Sequence, residues 1–193
     1  MLFVIVSTIA TLVYSQMYST LSVYLRDVHG VPESGYGWLM TLNAGMVVLF
    51  QFMITRRISK KPPMLILAAG SLFYVIGFGM YGFVDVYILF MLAMVIITVG
   101  EMVIIPVARA YVGDAAPEDM RGRYSGVMGF SWMIPWMIGP LLAGLIMDYG
   151  DPNWIWYGSA ILGLVAAAGF LWLRNGHEKS QIAPEGKPGL ETG

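Results

Sequence analysis

The chain is a succession of long apolar stretches divided by short polar breaks. Charge-free segments run over Met1–Leu25, Gly37–Thr55, Pro63–Val84, Val86–Ala108, Tyr124–Met147 and Trp154–Leu173, with Glu101 the one exception, inside the fourth. A helix rises about 1.5 Å per residue, so about 20 residues cross a hydrocarbon core ~30 Å thick. Each segment is near or above that length. Lipid offers no partner for backbone N–H and C=O groups, so a span is either a helix or part of a closed barrel. Barrel strands alternate apolar and polar positions over about ten residues, and these segments do not. The pattern predicts an all-α integral membrane protein whose residues 1–173 form six transmembrane helices. The first is read as a true span rather than a signal peptide, since it has no basic residue before Arg26 and too long an apolar run.

Composition agrees with that reading and removes other classes. Of 193 residues 58% are hydrophobic and 12% charged, against about 25% charged in soluble domains. A net charge of −1 provides no field for nucleic acid. Cysteine is absent, and His29 and His177 do not form a metal-ligand spacing, so neither metal nor cofactor is expected. The chain has no G-x-S-x-G elbow, no H-E-x-x-H pair, no phosphate-cradling loop and no histidine within a span to act as a base. It is not expected to be an enzyme.

The basic residues orient the spans. Alternate connections hold Arg56, Arg57, Lys60 and Lys61, then Arg109, Arg121 and Arg123, then Arg174, Lys179 and Lys187, while the opposite side holds Arg26 alone. Such asymmetry places the basic side in the cytoplasm, with both termini there and the protein in the cell membrane. Trp38 and Trp154, near segment ends, suit the interfacial belt. Residues 174–193, rich in Gly, Pro, Glu and Lys, are expected to be a disordered cytoplasmic tail.

Polar residues within the spans are few and therefore informative. Ser7, Thr11, Tyr14, Tyr18 and Ser22 recur every three or four positions and share a face of the first helix, with Gln16 about 100° beyond Ser15. Such a stripe serves either close helix packing or the wall of a water-filled cavity, and two mid-helix tyrosines are bulky for the former. Asn43 and Gln51 lie roughly on one side of the second helix, facing either substrate or another helix. Glu101 stands near the centre of the fourth, where a charged side chain costs at least ~2.5–3.5 kcal/mol on insertion scales. Intramembrane carboxylates mark proton or substrate pathways, the alternative being a structural hydrogen bond to a neighbouring helix. Arg109 lies two turns on, about 12 Å along the axis, too far to pair directly. Pro106 removes the backbone bond to Met102 and is expected to kink its helix, as are Pro135 and Pro140 in the next. Gly139 with Ala143, and Pro140 with Gly144, place small residues four apart, as close helix contacts require.

Six helices with both ends inside, and basic second and fourth loops, resemble one half of a major facilitator superfamily transporter. Gly100-Glu101, Pro106, Ala116-Pro117-Glu118, Arg121-Gly122-Arg123-Tyr124 and then Gly139-Pro140-Leu141-Leu142-Ala143-Gly144 resemble the tenth and eleventh helices of drug:proton antiporters. Gln16-Met17-Tyr18-Ser19-Thr20-Leu21 is similar to their seventh helix. The family's loop G-x-L-A-D-R-x-G-R-K would fall from Phe52 to Lys61, where Arg57, Lys60 and Lys61 keep its basic positions while its glycines and aspartate are missing. The resemblance implies the C-terminal bundle of two inverted three-helix repeats, whose first and fourth helices line a midplane cavity. It implies proton-coupled efflux of small amphipathic molecules by alternating access, with Glu101 as proton-coupling or substrate site. Tyr14, Gln16, Tyr18 and Asn43 would line the cavity, and the basic loop residues would hold the cytoplasmic ends. It leaves open a proton-coupled peptide or sugar symporter, or a non-transporting membrane partner. Complete members have twelve helices, so a missing N-terminal half or a second copy is the expected partner, beside the bilayer, protons and a small-molecule substrate.

Overall fold

The computed structural model describes residues 2–115 and 120–182. Its helices are α1 (Leu2–Ser19), α2 (Leu21–His29), α3 (Glu33–Ile58), α4 (Pro63–Tyr81), α5 (Tyr87–Ala115), α6 (Arg121–Tyr149) and α7 (Trp154–Ile182). Six of them are long and apolar enough to cross a bilayer. No strand occurs among the described residues.

Two boundaries differ from the sequence expectation. The first span is interrupted at Thr20, which separates α1 from the short α2. Thr20 stands at φ −113° and ψ −35°, and main-chain bonds from Thr20 N–H to the Gln16 carbonyl at 3.1 Å and from Tyr24 N–H to the Thr20 carbonyl at 2.9 Å carry the chain through the turn. Ser19 Oγ donates to the Ser15 carbonyl at 3.0 Å and Thr20 Oγ1 to Gln16 Oε1 at 2.7 Å. Gly30 then closes α2 in the left-handed region at φ 64°, its N–H returned to the Arg26 carbonyl. At the other end, α7 runs on through Ile182 rather than stopping at Arg174. A charge ends an apolar segment but not a helix, and the first proline after it is Pro184. The tail beyond Ile182 lies outside the described residues, as do residues 116–119 of the fourth connection.

Packing runs in the order α3, α5, α4, α7, α1, α6. Lipid tails are as apolar as the side chains, so association here depends on close van der Waals fit rather than on escape from water. Glycine supplies the fit where α4 meets α5 and α7. A Cβ on Gly77 would stand 2.5 Å from Ile97 Cγ1 and 3.0 Å from the Ala93 carbonyl oxygen; one on Gly100 would stand 2.8 Å from the Tyr74 ring and 3.0 Å from the Gly70 carbonyl. Gly163 of α7 is likewise closed off by Val75. The outer helices bury only narrow stripes: Gly35, Leu39 and Asn43 on α3, and Met128, Ser131, Pro135, Gly139 and Ala143 on α6. Of the two small-residue pairs in α6, Gly139 with Ala143 faces α1, where Ser15 and Gln16 lie against it; Gly144 meets nothing within 4 Å.

The end of the bundle opposite the termini is tied by tyrosines. The Tyr24 hydroxyl lies 3.0 Å from the Tyr81 carbonyl oxygen and 2.5 Å from Asn153 Oδ1, with one hydrogen to share between them, while Tyr87 donates to the Gly35 carbonyl at 2.7 Å and Tyr157 to the Gly82 carbonyl at 2.6 Å. His29 sits 3.8 Å from Asp85 with its ring between Tyr24 and Phe90. Burial pushes its imidazole below the ordinary value, against a weaker opposite pull from the Asp85 carboxylate.

Candidate functional site

Helices α1 and α3 both reach Glu101 of α5. Its carboxylate is 9% exposed and is reached from two sides. Tyr14 of α1 donates its hydroxyl to Oε1 at 2.9 Å, and Asn43 of α3 donates Nδ2 to Oε2 at 2.7 Å. The second Asn43 N–H goes to Thr98 Oγ1 at 3.0 Å, and Thr98 passes its own hydrogen to the Met94 carbonyl at 2.7 Å. Every donor on the carboxylate is neutral, and among the described residues no basic group lies within ion-pair reach of it. Arg109, further along α5, is exposed and places its guanidinium 5.8 Å from the centre of the Trp132 ring.

Aromatic rings build the surroundings. Tyr14 stacks on Tyr74 of α4 at 6.0 Å between centroids and meets the edge of Trp132 of α6 at 6.2 Å. Tyr18, one turn on from Tyr14, has its hydroxyl 3.1 Å from that of Tyr14 and its ring 5.6 Å from Trp136. Tyr18 is 38% exposed and Trp136 42%, whereas Tyr14 is buried. Since the Tyr14 hydrogen points at Glu101, the hydrogen between the two phenols comes from Tyr18. A chain of hydroxyls therefore runs from an exposed phenol to a buried carboxylate.

Of the residues singled out in the sequence, Glu101, Tyr14, Tyr18 and Asn43 come together. Gln16 does not join them. It is buried on the α1–α6 side, donating to the Leu12 carbonyl at 3.3 Å and accepting from Thr20. The smaller hydroxyls of the α1 stripe also turn inward, Thr11 onto the Ser7 carbonyl at 2.8 Å and Ser15 onto that of Leu12 at 2.8 Å. Arg56, Arg57, Lys60, Lys61 and Arg123 are exposed around the ends near the termini; Arg121 opens α6, and its side chain is not among those described. Helices α5 and α6 continue through Pro106, Pro135 and Pro140 without interruption. Tyr74, Thr98, Trp132 and Trp136 were not legible as site residues. Thr98 stands three positions before Glu101 and so shares its face, but nothing in α4 or α6 marks the three rings as packing on Tyr14 and Tyr18.

Comparison with known proteins decides the family. A family model described as Major Facilitator Superfamily matches residues 3–191. The chain belongs to that superfamily. An uncharacterized MFS-type transporter of Bacillus subtilis, YttB, is 31% identical over 72% of this chain and 35% of its own length. A Na(+), Li(+), K(+)/H(+) antiporter of Planococcus maritimus is 21% identical over 95% of this chain and 46% of its own. The multidrug efflux pump SdrM of Staphylococcus aureus is 26% identical over 60% of this chain and 26% of its own. The chain thus spans less than half the length of each of these relatives. Membership makes it a multi-pass membrane protein of a transporter family rather than an enzyme family. The six spans form a bundle that fits one half of a superfamily transporter.

Proposed function

We propose that this chain is the C-terminal half of a proton-coupled efflux transporter of the cell membrane, with both termini cytoplasmic, working by alternating access against an N-terminal six-helix partner. The observation that carries the reading is a buried carboxylate with two neutral donors, no cation, and a hydroxyl chain leading to an exposed phenol. A lone carboxylate within the bilayer is costly. Two things relieve it, a proton or a cationic group on a substrate, and one carboxylate cannot hold both. Exclusive occupancy of one site by two ligands is antiport: the proton discharges the substrate on one side and the substrate discharges the proton on the other. Exposed Tyr18, joined to the carboxylate through Tyr14, and Trp136 against it offer the apolar, ring-faced surface that an amphipathic cation prefers. Relatives named as a multidrug efflux pump and as a cation/proton antiporter support the same direction of transport.

Everted membrane vesicles containing the full-length protein test this. With the interior acidified, they are expected to accumulate ethidium above vesicles lacking the protein, and nigericin is expected to release it. Uptake of labelled dipeptide into vesicles with the exterior acidified instead, with no movement of ethidium in either set, would replace efflux by symport.

A further inference from the structure

Gln51 of α3 makes a contact that the site as described does not use. Its Nε2 donates to the main-chain carbonyl of Met102 at 3.0 Å and, with its other hydrogen, to Thr55 Oγ1 at 2.9 Å. Met102 follows Glu101 in sequence and is 1% exposed. Its carbonyl is the one that Pro106 leaves without an i+4 donor, because proline has no N–H. In hydrocarbon an orphaned backbone group is costly, and prolines within spans are tolerated where a neighbouring helix supplies the missing bond. The side-chain amide of Gln51 supplies it here. Two turns earlier on the same helix, Asn43 holds Thr98 and the Glu101 carboxylate. Helix α3 therefore grips α5 at two levels, one on the carboxylate and one on the backbone directly after it.

The geometry points to Gln51 as a positioning residue for Glu101. It stands in for the N–H that Pro106 lacks and closes the gap in the α5 ladder from outside. This fixes the backbone at residues 101–102 so that the carboxylate meets Tyr14 and Asn43. The bond is also conditional: it lasts only while α3 and α5 keep their present register. If α3 slides or rotates, the carbonyl is released, the α5 ladder opens at Pro106, and Glu101 leaves its donors. Gln51 thus ties the exposure of the carboxylate to the relative placement of two helices. This rests on Glu101 being the working group of the proposed antiporter, but its test needs no transport.

The test is a double-mutant cycle in the full-length protein purified in detergent. The readout is the rate at which dicyclohexylcarbodiimide modifies Glu101, followed by mass spectrometry of the peptide that contains it. Gln51→Met keeps the side-chain volume and removes the donor. It is expected to raise the rate about fivefold or more, the scale of one lost buried hydrogen bond. Pro106→Ala restores a backbone N–H to the Met102 carbonyl, and in that background the same substitution is expected to change the rate less than twofold. An equal change in both backgrounds, or no change in either, overturns the assignment. If Gln51→Met does not yield monodisperse protein, its recovery with Pro106→Ala supports the proposal, and failure in both backgrounds contradicts it. Should Glu101→Gln retain proton coupling, the transport reading fails while this cycle remains readable.

Discussion

Full-length protein carrying Glu101→Gln is expected to fold, to reach the membrane, and to lose proton-gradient-driven transport down to the level of vesicles without it. Glutamine has the shape of a protonated glutamate and cannot change charge. It still accepts from Tyr14, as Oε1 does now at 2.9 Å, and its amide pairs with Asn43 once the Asn43 amide turns over. Side-chain volume is conserved. What disappears is the exchangeable proton, and with it the competition that couples the two fluxes. Ethidium accumulation in acid-interior everted vesicles measures the loss, and gel filtration with an unchanged thermal midpoint shows that the fold survives. Wild-type accumulation in this variant would remove Glu101 from the coupling mechanism.

The second large effect is on the fold itself. Gly77→Ala is expected to lower the thermal midpoint of the purified protein clearly, and Gly77→Leu to prevent recovery of monodisperse protein. A Cβ at this position meets the Ile97 side chain at 2.5 Å and, less forgivingly, the Ala93 carbonyl oxygen at 3.0 Å and the Ile97 nitrogen at 3.1 Å. The side chain can rotate, but the backbone atoms cannot retreat unless α4 and α5 separate. Overpacking of this kind costs about 1–3 kcal/mol for small insertions. Separation also loosens the Gly70–Gly100 crossing, against which Tyr74 is held. Gly158→Ala on α7, where nothing lies within 4 Å, is the control and is expected to leave the midpoint unchanged. Equal behaviour of the two alanine variants would mean that the α4–α5 contact does not hold the bundle together.

Much of the architecture was readable because lipid imposes a coarse rule. Charge-free runs of about 20 residues had to be helices, and the six spans follow them. Span ends were less legible, since charges marked them and charges do not stop a helix: α5 passes Arg109 to reach Ala115, and α7 passes Arg174. The break at Thr20 is a local change of backbone angle, which apolar periodicity does not register. In the site, Glu101 stood out by the cost of placing it in a span, and Tyr14 and Asn43 by polarity, though not as its partners. The family resemblance set Gln16 beside Tyr18, but it points about 160° away around a 3.6-residue helix, toward Gly139 of α6 and Ile155 and Ser159 of α7 rather than toward Glu101. The rings of Tyr74, Trp132 and Trp136 were indistinguishable from lipid-facing aromatics until the helix packing order was known. Gln51 and Pro106 were each visible, but that one completes the other depends on the register of α3 against α5.

The central claim is that one carboxylate exchanges a proton for a substrate, and proton release on binding tests it most directly. Full-length protein in weakly buffered detergent solution, with a pH-sensitive dye, is titrated with ethidium over a series of starting pH values. Wild-type protein is expected to acidify the solution as the ligand binds, and Glu101→Gln to bind without acidification. Acidification of the same size in both proteins would contradict the claim, as would binding to wild-type protein with no proton released at any pH.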